Sequence, residues 1–290
     1  MTRALDETLL RGRTLGTPEG GKDVRGSVAV VGGSREVPGA VLLAGIGALR
    51  AGAGRLQVVS VASRAEALSM ALPEALVMGL PETEKGGLSH ECFELFAERL
   101  ERADAVLFGP GTVEEDDTRE LARRLIGEVD GPTLVLDAGS LNGLRDCADA
   151  LRRRGRFAIT PHAGEMAGLL GIERDQVEED PLGAARGAAE ELGGVVVMKG
   201  AKTHVVAPGG EAFLYEGGGP GLGTSGSGDV LAGIVAGMAA RGASALDAAL
   251  WGVFLHGEAG AECARSVGTV GFLAHELLPQ VPGVLMRFER

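Results

Sequence analysis

Apolar positions along the chain fall into two kinds of block. Short, nearly unbroken runs at 28–31, 55–61, 104–108, 133–136, 156–159 and 195–198 have the length and β-branched content of strands buried on both faces. Longer segments at 38–52, 63–70, 89–102, 114–127, 141–154, 163–171, 180–193, 228–240, 244–264 and 271–278 have helical spacing. In 89–102, Phe93, Phe96 and Leu100 share one face at i, i+3 and i+7. Residues 203–207 and 212–216 flank Pro208-Gly209-Gly210 and predict a hairpin. Residues 1–25 read as a short helix and a loop, and 73–87 as irregular surface. Strands alternating with helices imply right-handed crossovers and a mostly parallel sheet, here with an antiparallel edge. No Pro-, Ser- or charge-rich linker and no repeat interrupts the pattern, so residues 1–290 are expected to form a single α/β domain.

Composition narrows the partners. The net charge is −12 and aromatic residues make up 3% of the chain, which argues against a nucleic-acid ligand. Cys92, Cys147 and Cys263 lie far apart without a CxxC, and the histidines show no ligand spacing. Disulfides and a protein-held metal are therefore not expected, and a reducing cytoplasm fits. The first twenty residues lack an apolar signal-peptide core, and no run approaches the roughly 18 apolar residues of a membrane span.

The candidate chemistry gathers in residues 217–242, GGGPGLGTSGSGDVLAGIVAGMAARG. A glycine-rich loop entering a helix offers unpaired N–H groups and the positive end of the dipole to an anion. Asp229 adds one carboxylate, a base beside an anion hole formed by Gly226, Ser227 and Gly228, which suits phosphoryl transfer. The plainer reading of Asp229 is a helix cap. Gly221-x-Gly223-x-x-Gly226 matches a dinucleotide fingerprint, but another helix follows it where a strand is required. The loop after residue 31 lacks the GK[ST] of a P-loop. Other unusual residues sit at strand ends: Gly32-Gly33-Ser34, Gly109-Pro110-Gly111, Asp137, Thr160-Pro161-His162 and Lys199-Gly200. Singly they are turns, caps or a surface lysine. Together they mark one rim, where open α/β sheets bind ligands.

The run GSVAVVGGSREVPGAVLLAGIGALRAGAGRLQVVS, followed by FGPGT, DAGSLN, TPHAGEM, VMKGAKTHVVAP and GPGLGTSGSGDVLAGIVAGMAARG, resembles the ADP/ATP-dependent NAD(P)H-hydrate dehydratases over about residues 25–282. The resemblance implies a ribokinase-like three-layer sandwich and a metabolite-repair reaction. A nucleotide phosphorylates the ring hydroxyl of hydrated NADH or NADPH, and phosphate then leaves. Asp229 matches the expected base. Gly228 and Lys199, Gly200, Ala201, Lys202 and Thr203 match positions that contact the AMP part of the nucleotide. Ala40, Gly111, His162 and Asp229 match positions that contact the hydrated dinucleotide. Mg²⁺ accompanies the nucleotide, ADP is the favoured donor, and a homotetramer is expected. The family's usual DADALN is DAGSLN here, Ala163 replaces a proline, and Ser225 stands where a glycine is common. These departures bear on substrate contacts. An ordinary carboxylate pKa would suffice for Asp229.

Two other readings use the same residues. A kinase for a vitamin or sugar hydroxyl would share the loop and Asp229 but leave its product phosphorylated. A nucleotide-sensing module would have no need of the base. The small-residue segment 38–52 fits either a subunit contact or close core packing.

Overall fold

In the strand Ser27–Val31, Val28 and Val30 face one apolar cluster and Ala29 and Val31 the other, all buried. A strand covered on both faces needs helices on either side of its sheet. The computed structural model, which describes residues 2–13, 20–113 and 116–288, has that layering. Its strands are β1 (Thr2–Ala4), β2 (Ser27–Val31), β3 (Arg55–Val61), β4 (Ala75–Leu80), β5 (Ala105–Phe108), β6 (Thr133–Leu136), β7 (Phe157–Ile159), β8 (Val195–Met198), β9 (Thr203–Val206) and β10 (Ala212–Tyr215). They form one ten-stranded sheet in the order β1-β10-β9-β8-β7-β6-β5-β2-β3-β4. β2 to β8 run parallel, while β9 is antiparallel to both β8 and β10. From β2 the chain winds outward through β3 and β4, then returns to β5 on the other side of β2 and winds the opposite way. The β2/β5 boundary is thus a topological switch point, where the connections diverge and leave a crevice.

One face carries the helices Gly39–Arg50, Ser227–Ala240 and Ala245–Ser266. The other carries Asp116–Glu128, Ala148–Arg154, Ala163–Leu170 and Pro181–Leu192. The small residues of Gly39–Arg50 serve the core. A Cβ on Gly233 would lie 2.1 Å from the Ala44 carbonyl oxygen, and one on Gly237 2.5 Å from that of Ala48. Helices this close must be bare at the crossing, and that contact seats the start of Ser227–Ala240 beside residues 40–43.

Local differences from the sequence reading have physical reasons. β4 lies inside the stretch expected to be irregular. It is an edge strand that is mostly half-exposed or exposed, so it lacks the apolar run of a central strand. β1 is only three residues long and pairs with β10. Residues 14–19 of the expected first loop and 114–115 of the expected helix lie outside the described residues. The 89–102 segment divides into a 3₁₀ turn, His90–Leu95, and a short helix, Ala97–Glu101, yet Phe93, Phe96 and Leu100 are still buried together. Two 3₁₀ turns precede Ala148–Arg154, and a further helix, Arg174–Glu179, precedes Pro181–Leu192. The 203–216 hairpin is present as β9 and β10, and Ser244 caps the Asp247 N–H. No helix among the described residues is long and apolar enough to cross a membrane.

Candidate active site

The rim at the carboxyl ends of the parallel strands collects the residues expected there. At the switch point the turns after β2 and β5 interlock: Gly33 N–H donates to the Pro110 carbonyl at 2.7 Å. Gly111 has φ +66°, and a Cβ on it would lie 2.5 Å from the Val37 carbonyl oxygen and 2.8 Å from the Ala40 methyl. Only glycine fits that position. Ala40 is itself buried in the first turn of Gly39–Arg50.

Across the rim, Gly226 adopts φ +86° and turns the loop into the Ser227–Ala240 helix. The first intrahelical bond runs from Val230 N–H to the Gly226 carbonyl, so the Gly228 and Asp229 N–H groups belong to the unpaired first turn. The Ser227 N–H donates to the Thr224 carbonyl at 3.2 Å, and its hydroxyl lies 2.9 Å from His256 Nε2. The hydroxyl is thus the part of Ser227 left to face a ligand. Asp229 lies on this turn, and a Cβ on Gly226 would sit 3.9 Å from its Oδ2 and 2.6 Å from Leu43. Leu43 is one turn beyond Ala40, which connects the two parts of the rim.

A buried polar network lies under this turn. Ala138 takes a left-handed φ of +51° at the end of β6, an uncommon conformation for a residue with a side chain. Beside it Asp137, 2% exposed, accepts from Thr160 Oγ1 at 2.6 Å and from Lys199 Nζ at 2.9 Å. Lys199 Nζ also stands 3.5 Å from Glu165 Oε2 and 3.4 Å from where a Cβ on Gly228 would be. Burial alone would push the Lys199 ammonium down, but Asp137 and Glu165 outweigh it and hold it above its ordinary range. Asp229 is the opposite case. Burial, reinforced by the Asp137 charge and opposed by Lys199, raises its carboxyl to about 7. That is not the ordinary value thought sufficient from sequence; it places the proton affinity of the candidate base near neutral pH.

Lys199, Gly200, Ala201, Thr203, Ser227, Gly228 and His162 line a cavity of about 540 Å³. Tyr215, Leu222, Leu231 and Val253 make its apolar part. A cavity with one polar end and one apolar end suits a ligand built the same way. Lys202 is absent from this lining and pairs with Glu216 at 2.5 Å on the surface, both side chains more than half exposed. His162 does the capping work of its plain reading: its Nδ1 accepts from Glu165 N–H at 3.1 Å, and its own N–H donates to Glu165 Oε2 at 2.7 Å. Its side chain is still 59% exposed and faces the cavity. Ala40 and Gly111 lie outside this lining, on the switch-point side.

Two features escaped the sequence reading. The Asp137–Lys199–Glu165 cluster comes from two strand ends and the first turn of the Ala163–Leu170 helix, so only the sheet order brings its members together. His256 is buried in the Ala245–Ser266 helix, where its imidazole is the one titratable group of the otherwise apolar run LWGVFLHG. That contrast was a usable signal.

Comparisons with known proteins identify the family and the fold. A family model described as NAD(P)H-hydrate dehydratase matches residues 28–282. The ADP-dependent (S)-NAD(P)H-hydrate dehydratase of Xanthomonas campestris is 48% identical, over 99% of this chain and 98% of that protein. A bifunctional NAD(P)H-hydrate repair enzyme of Moorella thermoacetica is 40% identical over 93% of this chain, which spans 51% of that longer protein. Among solved structures, the ADP/ATP-dependent NAD(P)H-hydrate dehydratase of Bacillus subtilis, co-crystallized with ATP/Mg²⁺, superposes with a TM-score of 0.82 at 27% identity, covering 99% of both chains. The fold is ribokinase-like. With the rim, the glycine turn and Asp229 in place on that fold, the chain belongs to the NAD(P)H-hydrate dehydratase family.

Proposed function

We infer that the protein is an ADP-dependent (S)-NAD(P)H-hydrate dehydratase whose base is Asp229. The observation that carries the reading is one helix start holding both the unpaired N–H groups of an anion site and a half-buried carboxylate whose proton affinity is near neutral. The nucleotide occupies the 540 Å³ cavity, its base among Leu222, Leu231 and Val253 and its terminal phosphate toward Gly228 and Lys199. Lys199 through Thr203 line its path, with Lys202 at the exposed margin. The hydrated ring approaches from the Gly111–Ala40 side, and His162 stands at the border between the two ligands.

Asp229 takes the proton of the ring hydroxyl as its oxygen attacks the terminal phosphorus of ADP. The bond to the AMP oxygen breaks, and the Gly228 N–H and the Lys199 ammonium hold the charge on the moving phosphoryl group. Phosphate then leaves as the C–O bond of the ester breaks, pushed by the ring nitrogen lone pair, while the neighbouring ring carbon loses a proton. The products are NADH or NADPH, AMP and phosphate. The protein's part is to hold the reactants in line and keep water out.

Among the described residues, no group of three His, Cys, Asp or Glu side chains could hold a metal by itself. A nucleotide-borne Mg²⁺ needs only one or two carboxylates besides phosphate oxygens. Here Asp229, Asp137 and Glu165 face the single ammonium of Lys199. Such a donor set fits Mg²⁺, with Asp229 and Glu165 available to its water shell. Bound there, the ion would neutralise phosphate charge. One domain carrying the whole reaction, a cytoplasmic location and a homotetramer complete the reading. The free thiols of Cys92, Cys147 and Cys263 support a reducing compartment. Light scattering of the purified protein tests the tetramer.

The direct test is to incubate the protein with hydrated NADH, Mg²⁺ and ADP and follow the reduced-nicotinamide absorbance. Recovery that requires nucleotide and releases AMP with phosphate is expected. No recovery, or a stable phosphorylated product, overturns the reading.

A further inference from the structure

The mechanism leaves one buried polar pair of the cavity unused. His256 is 9% exposed and Ser227 4%, both line the cavity, and Nε2 of one lies 2.9 Å from Oγ of the other. Because the Ser227 N–H is bonded to the Thr224 carbonyl, the hydroxyl is what this residue can turn toward an anion. A hydroxyl has one proton. Given to the imidazole, it leaves lone pairs facing the phosphate. If instead the ring nitrogen carries the proton, Oγ accepts from it and the hydroxyl proton is free to point into the cavity. Burial drives the imidazole down to about 4 and so keeps it neutral, with a single N–H, which the second arrangement puts on Nε2, 2.9 Å from Oγ. A neutral donor also suits a site where three carboxylates already surround one ammonium.

We propose that His256 positions the Ser227 hydroxyl as a hydrogen-bond donor to the terminal phosphoryl group of the bound nucleoside diphosphate. The assignment rests on the dehydratase reading for the identity of the acceptor and on the cavity alone for the phosphate contact. Ser227 touches the moving group; His256 acts through it by fixing the rotor. A lost donor to a charged oxygen lowers the rate about ten- to hundredfold.

The test compares Ser227→Ala, His256→Leu, His256→Gln and the Ser227→Ala/His256→Leu double variant with the wild type. Three quantities are read: kcat with hydrated NADH, the ratio of ADP to AMP affinity by calorimetry, and the thermal midpoint. Ser227→Ala should cut kcat about ten- to hundredfold and shrink the ADP preference about tenfold. His256→Leu should do the same. His256→Gln, with an N–H near the place of Nε2, should recover most of the loss, and the double variant should be no worse than Ser227→Ala. A purely structural histidine would lower the thermal midpoint in both His256 variants and act additively with Ser227→Ala. Additivity, or an ADP preference unmoved in Ser227→Ala, overturns the proposal. Ser227→Ala leaves the imidazole in place, so it decides even if His256→Leu fails to fold. If the wild type restores no NADH, the dehydratase reading falls while the ADP-to-AMP ratio still judges the pair.

Discussion

The two sides of the Ser227–Ala240 helix start are built in opposite ways. The side we assign to the nucleotide is made of side chains: Lys199 pinned by carboxylates, Ser227 held by His256, and an apolar lining from Leu222, Leu231 and Val253. The side assigned to the hydrated ring is made of their absence, with Gly33, Gly111 and Ala40 packed backbone against backbone at the switch point. A site made of side chains can be retuned one substitution at a time. A site made of bare main chain tolerates almost none, because an added atom meets a close neighbour, the Val37 carbonyl at Gly111 and the Ser60 hydroxyl at Gly33. Asp229 stands between the two and should be the residue on which both depend.

Asp229→Asn therefore carries the largest expected effect. Losing a positioned general base costs about 10²- to 10⁴-fold in kcat. ADP affinity, measured by calorimetry, should stay within a few-fold, because the cavity lining is untouched. Retained turnover would remove Asp229 from between the two sides.

Lys199→Met should act first on stability. It leaves Asp137, 2% exposed, with Thr160 Oγ1 as its remaining side-chain donor, and breaking a buried pair this way costs about 3–5 kcal/mol. Chemical denaturation measures the loss. The Lys199→Met/Asp137→Asn double variant should regain much of it while remaining slow, since the charge on the moving phosphoryl group is still unmet. A double variant no more stable than Lys199→Met would mean the pair is not the unit described.

Gly111→Ala tests the bare side. The methyl would sit 2.5 Å from the Val37 carbonyl oxygen at a φ of +66°, so the switch-point turn must move. The expectation is a rise of about ten- to hundredfold in KM for hydrated NADH, in line with misplaced positioning groups, and an unchanged ADP affinity. Equal losses for both ligands would merge the two sides into one.

What was legible in the sequence follows the same division. Main-chain features announce themselves locally: Gly32-Gly33, Gly109-Pro110-Gly111 and the 217–228 loop can be read because glycine at a strand end has few other uses. Strands buried on both faces were equally plain, whereas the half-exposed β4 was not. Side-chain networks were hidden. Asp137, Glu165 and Lys199 were each visible as a strand-end or first-turn residue, but nothing in their spacing says that they meet. The pKa of Asp229 could not be read either, since it comes from burial and from Asp137, which is far away in the chain.

That raised pKa gives the last and smallest prediction. With the Asp229 carboxyl at about 7, the base form is lost as pH falls through neutrality, and kcat/KM should drop about tenfold per unit below it. Stability moves the other way. The folded carboxyl holds its proton up to about 7, while the unfolded one, near the ordinary 3.8, has already released it. Between these limits the folded state binds more protons, so Asp229 makes the protein less stable as pH rises through that window. Asp229→Asn should then match the wild type below about pH 4 and exceed it by roughly 2 kcal/mol above pH 7, after allowance for partial exposure of the carboxylate. Thermal unfolding of both proteins across this range checks the sign. A gain that is largest in acid, or no gain at all, would mean that the carboxyl is ionised without penalty, and that its burial between the two sides of the site is not what tunes the base.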